Sequence, residues 1–547
     1  MHSVGMSNEQ LDERKPLCIA GIEISVAEQT PLVLALLAVI QQQAAEILSL
    51  RDEIQRLKGT TTRPKIKPSV LLQPPKPPPD SATKRPGSAK RHKTKELIID
   101  DDILLQPLDL PPDAKLEGYR DFVVQDLVVK SHTIRYRRAV YRLADGSLLV
   151  AERPADVNSH FGVELRRHIL WQVHQNHVTQ NRLLEELHEF GIDISAGQIS
   201  NILLHGHEVF HAEKAELLPV AREISDHLHC DDTSARHQGK AAVTTHIGNE
   251  YFASFFTTDS KSRLNFLQIL CQPNEQYRWC DEALEALKML NSSQKLQVFM
   301  AEQTDDVWLG RNAWELQLTA WGITSPKQRT LVSEAALCGT LLTESWYAGL
   351  GLISDDAPQF KIFGFLHGLC WVHGERKIDR LIPLTDSHRA AKEAAQQQFW
   401  DIYASLKKYR AEPTPELRAS IAAAFDCMCS TKTGYAELNA ALALLHKKRD
   451  EFLAVLEYPH LPLHNNLSES DIREYARLRK ISAGTRSDLG RQCRDTFLSL
   501  KKTCRKLSVS FRDYLLDRLT QAGKILPLTE RMRQAAKKVA SLATPAE

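Results

Sequence analysis

Apolar and polar positions alternate most clearly between residues 227 and 257. His227 to Arg236 reads His-Leu-His-Cys-Asp-Asp-Thr-Ser-Ala-Arg; after Gln238-Gly239-Lys240 come Ala241 to Ile247, Gly248-Asn249 and Tyr251 to Thr257. Short runs rich in β-branched and aromatic residues, parted by Gly-containing turns, predict three antiparallel strands joined by hairpins. A fourth apolar strand is predicted over Leu350 to Ser354, ending in Asp355-Asp356. Upstream the period changes to that of helices. Phe161 to Gln175 is predicted helical, with Leu165, Ile169 and Leu170 on one face. Thr179 is placed to cap a helix over Gln180 to Phe190 that buries Leu183, Leu184 and Leu187, with Gly191 as its stop. Ser195 is placed to cap another over Ala196 to Leu204, with Ile199, Ile202 and Leu203 inward. Helix, Gly-containing turn and short second helix with polar Gln198, Ser200 and Asn201 form a helix-turn-helix pattern, although any αα-hairpin shares it.

Nearer the N-terminus a seven-residue repeat places Val33, Ile40, Ile47 and Ile54 at one position and Leu36, Gln43, Leu50 and Leu57 three residues later. β-Branched residues followed by Leu favour a two-stranded parallel coiled coil. A single amphipathic helix packed on its own protein is the competing reading. Thr60 to Lys95 follows as a linker, in which eight prolines deny regular hydrogen bonding. Its basic run, with Lys90, Arg91 and Lys93, suits sequence-independent contact with phosphates and equally a solvated tail. Residues 117 to 152 alternate in short runs (Phe122 to Val124, Thr133 to Tyr136, Ala139 to Tyr141, Leu148 to Val150), and Asp145-Gly146 marks a hairpin turn; a small β module is expected.

Composition narrows the class. The 547 residues allow two to four domains, and 43% hydrophobic with 25% charged residues is the balance of an ordinary soluble chain. The apolar run Pro31 to Ile40 stops at Gln41, short of the ~20 residues a membrane span needs. Ten scattered cysteines without a Cys-x-x-Cys pair suit a reducing compartment, with Cys427 and Cys429 read as core residues. The net charge of +2 decides nothing, but its distribution does: Arg477, Arg479, Lys480, Arg486, Arg491, Arg494, Lys501, Lys502, Arg505, Lys506 and Arg512 make a basic segment that predicts a phosphate-tracking surface.

The chemistry rests on acids. A lone Asp-Asp pair is ordinarily a strand-end group facing water. Here Asp231-Asp232 ends an apolar run, Asp355-Asp356 ends another, and Glu469 sits on a helix that Asn465 or Asn466 can cap. Two strand-end aspartates and a helix-borne glutamate supply hard oxygen ligands for Mg²⁺, and such a site can hold two cations ~4 Å apart for phosphoryl transfer. His207-Glu208-Val209-Phe210-His211 matches a zinc-protease string, but with 21 histidines short matches arise by chance and no extended signature follows.

Four blocks taken together resemble the transposases of the insertion-sequence sixty-six family: Cys-Asp-Asp-Thr-Ser-Ala-Arg-His at Asp231, Ile-Ser-Asp-Asp-Ala-Pro-Gln-Phe at Asp355, Cys370-Trp371-Val372-His373 with Arg376-Lys377, and His-Asn-Asn-x-x-Glu-x-x-Ile-Arg at Glu469. The resemblance covers about Ile224 to Leu519. It implies a DDE triad of Asp231, Asp355 and Glu469 that binds Mg²⁺ or Mn²⁺ as two ions, with Asp232 and Asp356 as neighbouring accessory acids. Family members often carry a zinc module of paired cysteines after the linker, whereas no Cys lies between Cys18 and Cys230 here. Many have Asp-Glu-Thr where this chain has Asp231-Asp232-Thr233.

The resulting expectation is an α/β protein with a ribonuclease-H-like catalytic domain carrying helical insertions, preceded by a coiled coil, a small β module and a helix-turn-helix region. The expected boundaries are 1–59 coiled coil, 60–116 linker, 117–158 β module, 159–222 helix-turn-helix region, 223–519 catalytic domain and 520–547 tail. Its activity would be cleavage of insertion-sequence ends and strand transfer into target DNA. Arg473, Arg479, Lys480 and Arg486, with Gln198, Ser200 and Asn201 and the linker's Lys90, Arg91 and Lys93, are the expected DNA contacts. His373 and Arg376 are candidates for orienting strand or phosphate, and a buried His373 beside Trp371 is equally compatible. Expected partners are double-stranded DNA, a second copy joined through the coiled coil, and accessory proteins of the same element; the expected location is the bacterial cytoplasm, at the nucleoid, with no membrane association. The alternatives are an inactive DNA-binding regulator descended from such an enzyme, and a zinc metalloprotease built on His207, Glu208 and His211.

Overall fold

Strand pairing begins in a short hairpin, β1 (Leu17–Ile19) against β2 (Ile22–Ile24). This computed structural model describes residues 17–19, 22–24, 30, 32–33, 99–105, 119–120, 122–154, 157, 159–303, 306–344 and 346–543. The chain divides into a unit of residues 1–122 and one of residues 123–547. The predicted coiled coil beyond Val33 and the basic linker with Lys90, Arg91 and Lys93 lie outside the described residues.

In the second unit β3 (Val140–Arg142) pairs antiparallel with β4 (Leu148–Val150). The turn is built as the Asp-Gly pair predicts: the Asp145 carboxylate accepts the Ser147 N–H at 2.9 Å, and Gly146 takes a φ of +83°. The rest of the predicted β module does not form. Phe122 to Val124 and Thr133 to Tyr136 are outside any strand and exposed, because a two-stranded hairpin offers no second layer to cover them.

Helices follow: α1 (Val163–His174), α2 (Gln180–Glu189), α3 (Ala196–Leu204) and α4 (Glu208–Ile224). Ser195 Oγ accepts the Gln198 N–H at 3.2 Å, as a capping residue should, whereas Thr179 holds the cap position without a side-chain bond. Leu183, Leu187, Ile199, Ile202 and Leu203 are buried as their spacing predicts.

The central sheet has the order β11-β10-β5-β6-β7. Its strands β5 (His227–His237), β6 (Lys240–Gly248) and β7 (Ala253–Thr258) form an antiparallel meander. Next come α5 (Arg263–Leu270), β8 (Gln276–Trp279), α6 (Asp281–Met289), α7 (Gln294–Ala301), β9 (Val307–Gly310), α8 (Arg311–Ala320) and α9 (Pro326–Leu342). β8 and β9 pair as a separate two-stranded sheet, anchored by Tyr277 stacked on Trp314 at 5.3 Å. β10 (Gly351–Ser354) then returns beside β5, parallel to it, and β11 (Leu366–Leu369) lies parallel to β10. Three antiparallel strands with a fourth beside the first is the arrangement expected of a ribonuclease-H-like sheet.

A second helical section, α10 (Trp371–Asp379), α11 (Asp386–Ala411), α12 (Pro415–Ser430), α13 (Ala436–His446) and the short α14 (Arg449–Phe452), has its own core around Trp371, Phe399, Phe425 and Phe452. The chain ends in α15 (Asn466–Ser482), α16 (Asp488–Lys506), α17 (Phe511–Thr520) and α18 (Leu528–Ala543). The stretch expected as a tail is thus largely helical. Leu528 and Met532 are fully buried, and Glu213 on α4 accepts bonds from Arg518 Nε (2.7 Å), Tyr514 Oη (2.8 Å) and Leu528 N (2.7 Å).

The two faces of the sheet differ. Leu228, Cys230, Ile247 and Phe256 belong to the large core that also holds Leu187, Phe210 and Phe266, so helices α2, α4 and α5 share one interior with the sheet. Ala235, Ala242, Ala253 and Phe255 meet Tyr475 of α15 and Leu498 of α16 on the opposite side. Among the described residues no helix is long and apolar enough to cross a membrane.

Candidate active site

Successive residues of a strand point to opposite faces, so Asp231 and Asp232 on β5 cannot share an environment. Asp231 lies on the face of His229, whose Nδ1 bonds to Asn465 of the α15 start at 2.9 Å. Asp232 points to the other face. There its carboxylate accepts from Gln359 Nε2 at 2.7 Å and pairs with Lys261 Nζ at 3.2 Å. Asp355 follows β10 directly. Since Ile353 is paired with His229 in parallel register, Asp355, two residues on, is level with Asp231. Its carboxylate accepts the Ala357 N–H at 3.1 Å. The neighbouring Asp356 is neutralised by Lys377 at 2.7 Å, by Lys361 at 3.7 Å and by Lys448.

Among the described residues neither Asp231 nor Asp355 has an ion-pair partner. Burial, the nearby Asp355 charge and smaller contributions from Asp232 and Glu469 push the Asp231 carboxyl up to about 7, against a bond from the Asp232 N–H at 2.8 Å. Burial also raises Asp232, and Lys261 and Gln359 oppose it.

Glu469 is in the first turn of α15, and the way that helix docks is the part of the site least visible in the sequence. Asn465 sits at the cap position but makes no capping bond. Its side chain instead donates to the Cys230 carbonyl at 2.7 Å and accepts from His229, and its backbone N–H donates to Cys370 Sγ at 3.2 Å. One buried amide therefore ties the helix carrying Glu469 to the strand carrying Asp231. Ser468 adds a bond to His246 Nδ1 at 2.6 Å, and Asp471 lies 3.3 Å from His246 Nε2. The Asn-Asn pair signalled a helix start; the partner of its amide was legible only after folding.

The Glu469 carboxylate faces Arg473 Nη2 at 3.0 Å, Arg376 Nη2 at 3.8 Å and His373 Nδ1 at 3.6 Å. Its Oε1 is buried without a hydrogen-bond partner, and so is His373 Nδ1. Arg376 Nη1 lies 3.0 Å from His373 Nε2. A guanidinium only donates, so Nε2 accepts and the ring proton sits on Nδ1, toward Glu469. Burial, the largest influence on His373, favours this neutral ring. Among the described residues the trio whose ligand atoms all lie within 4.8 Å of one another is Cys370, His373 and Glu469, not the three acids. At the acids, Asp231 and Asp355 are hard oxygen donors without an ion-pair partner among the described residues, and Glu469 keeps one oxygen free of hydrogen bonds while the other pairs with Arg473, a donor set that fits a divalent cation. Trp371 is buried in the second helical core, while His373 is half-buried and faces the site.

The predicted DNA contacts divide. Arg473, Lys480 and Arg486 are exposed, whereas Arg479 ties α15 to β5 by donating to the Ser234 carbonyl and hydroxyl. On α3 Asn201 is exposed and Gln198 and Ser200 are half-buried. Much of the basic segment is not a surface. Lys501 and Lys502 are buried against Glu474, with Lys502 also 3.3 Å from Asp471, and Lys506 pairs with Asp471 at 2.9 Å. Arg494 donates to the Ala483 carbonyl at 2.8 Å and to Ser482 Oγ.

The zinc-protease alternative fails on geometry. His207 Nε2 donates to the Ile202 carbonyl at 2.9 Å inside the core, and His211 Nδ1 bonds to Thr496 Oγ1 at 2.8 Å. Their rings, 6.4 Å apart and nearly perpendicular, join no three-ligand group among the described residues. The string is the start of α4, packed on Phe497.

Comparison with known proteins bears on the same residues. The family model described as Transposase IS66 family matches residues 158–264 and 335–492, which contain Asp231, Asp355 and Glu469 and omit β8, β9 and α6 to α8. The protein named uncharacterized protein y4jO of Sinorhizobium fredii (strain NBRC 101917 / NGR234) is 38% identical over 301 residues, which is 54% of this chain and 93% of that protein. The chain belongs to the IS66 transposase family.

Proposed function

We propose that the protein is a DNA transposase that cuts the ends of an insertion sequence and joins them to target DNA, with Asp231, Asp355 and Glu469 as its catalytic acids. One observation carries the choice of residues: Asp231 on β5 and Asp355 just past the adjacent parallel β10 have no ion-pair partner among the described residues, while Asp232 and Asp356 are held by lysines and Gln359. Mg²⁺ or Mn²⁺, as a pair of ions, would supply Lewis acidity at the attacking and leaving oxygens of the phosphodiester. Asp231, Asp355 and Glu469 would hold the ions, and Glu469 would exchange its arginine contacts for that role. His373 and Arg376 hold Glu469 in position until then. Hydrolysis adds water across the P–O3′ bond at each end, leaving a 3′-hydroxyl and a 5′-phosphate. The 3′-hydroxyl then displaces a 3′-oxygen in target DNA, so that bonds are exchanged without an energy-rich co-substrate.

In this reading residues 223–519 are the catalytic domain, and α2 and α3 a DNA-reading helix pair offering Gln198, Ser200 and Asn201. Arg473, Arg479, Lys480 and Arg486 track phosphates near the cut. Residues 33–57 join two copies, the basic linker with Lys90, Arg91 and Lys93 adds non-specific grip, and the protein works on chromosomal DNA in the bacterial cytoplasm. The test is Mg²⁺-dependent cleavage of labelled element ends by wild type, Asp231→Ala and Glu469→Ala. Loss of cutting with retained binding is expected of both variants. Equal cutting by all three would remove the assignment, and binding without cutting by the wild type would favour the regulator.

A further inference from the structure

From Leu127 to Ala144 the chain carries Lys130, Arg135, Arg137, Arg138 and Arg142 and not one acid. All five cations are exposed, and among the described residues none has a carboxylate partner. Arg138 and Arg142 donate to main-chain oxygens of their own hairpin, at Ala151 and Gly146. Two aromatic side chains, Tyr136 and Tyr141, are interleaved with them and exposed. The segment also has a defined neighbour: Ser131 Oγ lies 4.0 Å from where a Cβ on Gly191 would stand, in the turn between α2 and α3.

Five unpaired cations on an exposed segment raise the local potential, and a polyanion that releases its counterions on contact relieves it. A second copy of this chain would bring the same positive charge and be repelled. We propose that Lys130 to Arg142 is a DNA-docking arm, gripping duplex phosphates alongside α3. The choice of duplex DNA rests on the transposase reading; the arm itself rests on the charge pattern. It supplies backbone grip, which positions a protein on DNA, while base readout is left to the neighbouring helix.

The full-length protein is tested by fluorescence anisotropy on a labelled duplex of arbitrary sequence, across a range of KCl concentrations. Replacing Lys130, Arg135 and Arg137 by Ala removes three cations that make no side-chain bond among the described residues. The slope of log affinity against log salt should become shallower by about 3, with affinity near 0.1 M salt weakened at least about tenfold. Arg135→Lys with Arg137→Lys should keep the wild-type slope, since charge rather than shape is at work. An unchanged slope in the triple variant would overturn the proposal. So would altered self-association at unchanged DNA affinity, or stronger wild-type binding to a single-stranded RNA of equal length. Cleavage is read separately: an arm that binds in a chain that never cuts would leave this inference standing and remove the enzyme reading.

Discussion

Asp231 and Asp232 are neighbours in sequence with opposite surroundings, and the difference follows from the two-residue period of a strand. One faces Asp355 and the start of α15; the other meets Lys261 and Gln359. The same division separates Asp355 from Asp356. The sequence marked both pairs as strand ends, whereas Asp231 and Asp232 lie midway along β5 and only Asp355-Asp356 follow a strand; nor could it choose within the pairs, because the lysines that neutralise Asp356 come from α10 and from residues 361 and 448. Asn465 is a second residue whose role depends on distant partners. Asn465→Ala would leave the buried Cys230 carbonyl without its donor and His229 Nδ1 without its acceptor, at about 1–3 kcal/mol each. A loss of about 2–5 kcal/mol in urea-induced unfolding is expected; a change well below 1 kcal/mol would show that the amide does not clamp the helix.

At the scale of elements, α16 gives the clearest lesson. Asp495, Ser499 and Thr503, four residues apart, lie on one helix face and meet the backbone of the edge strand β7. The Thr257 N–H donates to Asp495 at 2.7 Å, that of Phe255 to Ser499 Oγ at 2.9 Å and that of Ala253 to Thr503 Oγ1 at 3.2 Å. A strand edge that would otherwise invite pairing is thus closed. The lysines of the same helix turn toward Asp471 and Glu474 on α15. Read alone, the segment's charge suggested a surface; its partners precede it by about thirty residues and are on another helix. Burial raises the Asp495 carboxyl to about 6, although the Thr257 bonds and Lys214 oppose this. A folded value above the ordinary unfolded one, about 4, contributes stability below the unfolded value that is lost as pH rises through about 6. Comparing urea midpoints at pH 4 and pH 7.5, Asp495→Asn should lose less stability than the wild type over that rise. An identical loss would show that Asp495 does not titrate in this window.

Across the whole molecule, the fold sets Asp231 on β5, Asp355 just past the adjacent β10, and Glu469 on α15, which is tied to β5 through Asn465. The meander, the fourth strand, the helical insertions and the helix pair before the sheet were legible because period and turn residues are local signals; the fourth strand's place beside the first was not readable from spacing, and β11 was not foreseen. Sharing of one core by α2, α4 and the sheet was not, since packing partners leave no trace in spacing. Nor was the solitary state of the hairpin at Asp145-Gly146, whose flanking apolar runs suggested more strands than form. The account's central claim is that phosphodiester cleavage belongs to the unpaired acid of each pair. Strand cutting in Mg²⁺ by Asp231→Asn beside Asp232→Asn tests it most directly. The account predicts a fall of at least about a hundredfold for Asp231→Asn and cutting within about tenfold of wild type for Asp232→Asn; the reverse order would contradict it.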